Sequence, residues 1–98
     1  MRRESLALGL VALALALACP AAAYPPVTCG RLTYAGATYV VHSHGPTCGF
    51  ANRWSKAFIA HKRKPRHFSC RGYGSSLPAY CKNAHRRYQY FFASLAPS

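Results

Sequence analysis

Two runs rich in Thr, Val, Leu and Tyr, residues 27–34 and 38–42, open the patterned part of the chain, with Ala35-Gly36 between them. β-Branched and aromatic residues flanking a short glycine turn predict a β-hairpin. Gly45-Pro46 closes the second run, and Thr47 is placed to cap a helix, its hydroxyl accepting a backbone N–H of the first turn. Beyond it Cys48, Ala51, Ser55 and Phe58 recur at helical spacing with Trp54 and Ile59 beside them, while Asn52, Arg53, Lys56 and Arg63 fall on the other side. That stripe reads as a core-facing surface, not a membrane or cofactor face. Pro65 is expected to end the helix, after Lys62-Arg63-Lys64 at the negative end of its dipole. Phe68-Ser69-Cys70 reads as a short strand, residues 72–78 as a flexible loop of turn composition, and residues 87–93, with Tyr88, Tyr90, Phe91 and Phe92, as the last strand. The order is ββαββ. It predicts an α+β domain in which one amphipathic helix packs on one face of a mostly antiparallel sheet.

Upstream, the pattern changes to that of an export signal. Met1-Arg2-Arg3 is a cationic start, residues 6–18 are an unbroken apolar run, and Ala21-Ala22-Ala23 supplies the small residues that signal peptidase reads. Cleavage is expected after Ala23, with residues 1–23 as signal peptide and residues 24–98 as one secreted or periplasmic domain. The apolar run falls short of the roughly 20 residues a membrane span needs. Cys19 follows Ala16-Leu17-Ala18, which reverses the usual lipobox order of Leu then small residue and argues against lipidation. A domain this small needs staples. Cys29, Cys48, Cys70 and Cys81 remain, an even number in an exported chain, and read as two disulfides with three possible connectivities. The pairing expected is Cys48 with Cys70 and Cys29 with Cys81. No CxxC or HxxxH spacing suggests zinc, and no cofactor is implied.

Cys29-Gly30, Tyr39-Val40-Val41, Gly45-Pro46-Thr47-Cys48-Gly49-Phe50-Ala51, Pro65 ahead of Phe68-Ser69-Cys70, and Cys81 ahead of Tyr90-Phe91-Phe92 follow one another along nearly all of the mature segment. In this the chain resembles a class of small exported four-cysteine proteins from high-GC bacteria. The resemblance implies the stapled architecture and no catalytic residue. The chain departs from that class in being depleted of acids.

The only acidic residue is Glu4, inside the signal, so residues 24–98 contain no Asp or Glu. Of thirteen Lys and Arg, Arg2 and Arg3 leave with the signal and eleven stay. Without side-chain carboxylates there is no Ser-His-Asp triad, no paired-acid glycosidase, no EF-hand calcium loop and no intrachain salt bridge. His42 and His44, two apart on a strand, point to one face and could share a Cu, Ni or Zn ion, but a third ligand would have to come from elsewhere. A two-histidine ribonuclease needs no carboxylate, and the five histidines keep it in view, although none sits in a recognisable motif. The stronger signal is two basic blocks, Lys62, Arg63, Lys64 and Arg66, and Lys82, Arg86 and Arg87, with Arg71 between them and Phe68, Tyr73, Tyr80, Tyr88 and Tyr90 interleaved. Cations neutralise phosphates and rings stack on bases or sugars. The sequence therefore points to a secreted, non-enzymatic, basic binding protein. Its expected partner is anionic: an envelope polymer, acidic lipid, nucleic acid or acidic protein. The main alternative is an extracellular inhibitor or protein-binding module using residues 72–78, and the lesser one is the ribonuclease.

Overall fold

A computed structural model describes residues 25–97. The expected signal, its cleavage site and Cys19 lie outside the described residues. Within them the order is β1 (Val27–Tyr34), β2 (Ala37–His44), α1 (Cys48–His61), β3 (Phe68–Arg71), β4 (Ala79–Asn83) and β5 (Tyr90–Leu95). All strand pairs are antiparallel, in the spatial order β1-β2-β5-β4-β3. The α+β class and the single helix on an antiparallel sheet stand; the ββαββ order does not, because a fifth strand, β4, follows residues 72–78. Ala, Lys and Asn are poor strand formers, so Ala79-Tyr80-Cys81-Lys82-Asn83 carries little strand signal of its own. Pairing on both edges imposes the conformation: β4 lies between β3 and β5.

The first hairpin forms where expected. Ala35 and Gly36 both take positive φ, 52° and 82°, the two-residue turn whose twist matches the strands it joins. In α1 the Thr47 hydroxyl accepts from the Phe50 N–H at 3.2 Å. The helix stops earlier than Pro65 suggests. Lys62 turns left-handed (φ 56°) and its N–H returns to the Phe58 carbonyl at 2.9 Å, so residues 62–64 lie beyond the last turn. Residues 72–78 are also tied down: the Tyr73 N–H donates to Leu77 and the Leu95 N–H to Ser76, both at 2.8 Å.

The core lies between α1 and one sheet face. Ala51, Ser55 and Phe58 of α1 are buried, against Tyr39, Val41 and Ser43 of β2, Ala79 and Cys81 of β4, and Phe91 and Ala93 of β5. Phe50 ties the layers together, edge-on to Phe91 at 5.8 Å and tilted on Phe68 at 5.5 Å. Beside Tyr39, Val41 and Phe91 the fully buried positions of β2, β4 and β5 are small, Ser43, Ala79, Cys81 and Ala93, while Leu32 and Tyr34 of β1 and Phe68 of β3 pack against this core from the edges. Small residues let the helix sit close.

The disulfides correct the expected pairing: Cys29 bonds Cys48, and Cys70 bonds Cys81. Both follow from local geometry. A register shift in β1 between Thr28 and Gly30 puts Cys29 in a bulge, beside the start of α1, where the Asn52 amide donates to its carbonyl at 3.4 Å. Cys70 and Cys81 are direct cross-strand partners of β3 and β4. Without β4 that adjacency is invisible in the sequence.

Peptide mapping of the unreduced protein should return Cys29–Cys48 and Cys70–Cys81. Recovery of Cys48–Cys70 or Cys29–Cys81 peptides would refute the fold. With sequence separations of 19 and 11, the chain-entropy estimate is about 3 kcal/mol for each bridge. Replacing the Cys29–Cys48 pair by Ser should cost about half a kcal/mol more than replacing Cys70–Cys81, the closed loop being longer. Denaturant unfolding of the two double variants measures the difference.

Candidate binding face

Period-two alternation sends every second strand residue to the sheet face away from α1. Because partners in register share a face, one row crosses all five strands: Thr28, His42, Phe92, Tyr80 and Arg71. Beside it runs a second row of His44, Tyr90, Lys82 and Ser69. An antiparallel sheet with one bare face usually keeps that face polar. Here five rings stand on it.

The rings share one orientation. His42 stacks on Phe92 at 4.8 Å between centroids and His44 on Tyr90 at 5.2 Å, with planes 20° and 11° apart. Tyr80 lies 5.8 Å from Tyr90 and 6.0 Å from Phe92, again within 20° of parallel. These are offset-stacked contacts, each about 0.5–1.5 kcal/mol beyond area burial. The rings shield one another and are half-buried although no element among the described residues covers them. Tyr73, at the start of the turn after β3, stands at 82° to Tyr80 and is 54% exposed.

At the β3–β4 end of this face lies an open hollow of about 370 Å³. Tyr73 and Tyr80 wall it with Arg71, Lys82 and Arg87, and Ser69, Asn83 and Ala84 complete it. Asn83 sets the approach of Arg87. Its Oδ1 accepts from the His85 and Arg86 N–H groups at 2.9 and 3.0 Å, and its amide donates to Gln89 Oε1 at 3.4 Å. The 84–89 loop is thereby folded back over the end of β4. Burial pushes the Tyr80 phenol above the usual tyrosine value of 10.0, and the charges of Tyr90 and Tyr73 at alkaline pH push the same way.

The structure thus joins Arg71, Lys82 and Arg87 of the expected polyanion set in one hollow. Lys62, Arg63, Lys64 and Arg66 are exposed but lie in the α1–β3 connection, outside it. Lys62 sits over the Phe58 ring at 5.0 Å, and Arg86 is exposed at the loop tip. The two basic blocks meet at one point: the His67 and His85 rings touch at 5.0 Å, and the Ala84 N–H donates to the His67 carbonyl at 2.7 Å. Rings in direct contact leave no room between them for a phosphodiester, which an acid–base histidine pair would have to flank. His42 and His44 do share a face, each spent on a ring neighbour, and His44 Nδ1 also donates to the Tyr88 carbonyl at 2.6 Å. Among the described residues no three His, Cys, Asp or Glu side chains gather as metal ligands.

Two of the interleaved aromatics belong elsewhere: Phe68 packs inward on Phe50 and Phe91, and Tyr88 is 63% exposed in the 84–89 loop. Sequence reasoning missed Phe92, His42 and His44 as members of the face. The alternation Tyr90, Phe91, Phe92, Ala93 carried the signal, since one parity is Tyr and Phe and the other Phe and Ala. Comparison with protein-family models, curated proteins and solved structures finds no match to this chain.

Raised above its unfolded value, the Tyr80 phenol stabilises the fold in its neutral form. That contribution is complete below about pH 10 and disappears as pH climbs through the raised value. Tyr80→Phe should therefore lose less stability than the wild type between neutral and strongly alkaline pH, measured by denaturant unfolding. Equal losses would show that the phenol is not shifted.

Proposed function

We propose that this chain is an exported cationic protein, not an enzyme, that binds an anionic polymer through the face opposite α1. The observation that carries the reading is the convergence of Arg71, Lys82 and Arg87 on one hollow walled by Tyr73 and Tyr80. Residues 24–98 contain no carboxylate side chain to neutralise these cations. Like charges held together on a folded surface repel one another and raise the local potential for anions. Two disulfides support a role outside the cytoplasm. The His67–His85 contact weighs against the ribonuclease. Residues 72–78 contribute Tyr73 to the same hollow, so an inhibitory loop would use overlapping residues, and salt dependence separates the two.

On duplex DNA taken as a generic polyphosphate, log affinity should fall with log salt by about 0.9 for each phosphate neutralised. Replacing Arg71, Lys82 and Arg87 together by Gln should flatten that slope by up to about 2.7. Replacing Lys62, Arg63, Lys64 and Arg66 should flatten it less, because those four lie outside the hollow. Exposed charges away from caps and core change stability little, and Lys62 caps α1 through its backbone N–H, which Gln keeps, so both variants should fold. No binding at low salt, or an equal response to the two variants, removes the reading. Salt-insensitive capture of one protein partner would replace it with the inhibitor.

A further inference from the structure

We infer that the polymer is single-stranded nucleic acid, an unpaired base stacking on the tyrosines that wall the hollow while its phosphates meet the cations beside them. The inference rests on the anionic-polymer reading and adds the chemical class of the ligand. Charge alone does not call for rings. A base-free polyphosphate would be served by Lys and Arg on a polar face, yet this face carries His42, His44, Tyr80, Tyr90 and Phe92 in near-parallel stacks. Stacked on one another, those rings use their faces within the rows, and the ring surface open to a base lies at the β3–β4 end, where Tyr73 is 54% exposed beside Tyr80; a base stacked there is worth about 1–3 kcal/mol.

The hollow matches one nucleotide in kind. Tyr73 and Tyr80 at right angles offer a ring face and a ring edge, Ser69 a hydroxyl, and Arg71, Lys82 and Arg87 the phosphate contacts. Its volume, about 370 Å³, is at the small end of ligand sites. In a duplex the bases are already stacked on each other inside the helix, so a flat sheet reaches only the backbone.

A second copy of this chain is the other candidate occupant of an aromatic face. Charge disfavours it, since pairing two such faces would bring Arg71, Lys82 and Arg87 of both copies together without a carboxylate to separate them. An acidic polymer supplies what the face lacks.

The test uses protein purified after expression of the full chain and a dye-labelled oligothymidylate of about 12 nucleotides, within the site sizes of sheet-based single-strand binders. Anisotropy is read at low salt against three competitors matched in charge: the same sequence as duplex, inorganic polyphosphate and a glycerol-phosphate polymer. The single strand should compete at least about tenfold better than each, the equivalent of one stacked base. Tyr73→Ala, at an exposed position outside the sheet, should weaken the oligonucleotide about tenfold more than it weakens polyphosphate. Tyr80→Ala should do the same or more, and Tyr80→Phe, which keeps the ring, should restore binding. Equal competition by polyphosphate, or oligonucleotide affinity indifferent to both alanine variants, overturns the inference and leaves the electrostatic reading standing. Preference for the glycerol-phosphate polymer, lost with the same rings, assigns the face to a polyol phosphate instead. Failure of every polyanion to bind removes both.

Discussion

The packing of α1 on the small residues at the centre of one sheet face governs the rest of the molecule. Ala51 and Ser55 of the helix meet Ser43, Ala79, Cys81 and Ala93, all essentially without solvent exposure. Only a few large side chains, Val41, Phe58 and Phe91 chief among them, fit that layer. With alternation fixed by the strand backbone, the residues between the small ones must face the other way. In β4 and β5 those residues are Tyr80, Lys82, Tyr90 and Phe92. The outer face thus carries rings where an antiparallel sheet with one bare face is usually polar.

A domain of this size gains from staples, and the disulfides sit at the two edges of the sheet. β1 and β3 are the two edges of the sheet, each paired on one side. One bridge ties Cys29 of β1 to the first residue of α1, and the other ties Cys70 of β3 to Cys81 of β4. Each edge is therefore fastened to something already held by two neighbours. The β3–β4 bridge also closes the base of residues 72–78, which places Tyr73 over the hollow that Arg71 and Lys82 line.

How much of this was legible in the sequence follows from how local each signal is. The Ala35-Gly36 turn, the Thr47 cap and the stripe through Ala51, Ser55 and Phe58 depend on neighbours within a few residues, and all three appear where the pattern puts them. β4 depends on partners at both flanks, and its own residues argue for no strand. Losing β4 loses the register that pairs Cys70 with Cys81, and it hides that Tyr80 stands between Arg71 and Phe92. The basic blocks were plain as composition. Which cations converge was not, since Arg87 reaches the hollow through the Asn83 contacts to His85 and Arg86, while Lys62 is drawn back over Phe58.

An exposed aromatic face and two open sheet edges are both invitations to self-association. The distribution of cations answers each. Arg31 on β1 and Arg71 on β3 put a guanidinium on each edge strand, and β3 is only four residues long, which limits any strand that would pair with it. Arg71 also belongs to the hollow, with Lys82 and Arg87. A single acidic residue on this face would weaken both effects at once, giving a second copy a complementary charge and an anionic ligand a repulsive one. The absence of Asp and Glu from residues 24–98 therefore has one physical consequence with two outcomes. Under the proposed function, the charge that would draw a polyanion to the ring-bearing face is the same charge that opposes its pairing with a second copy.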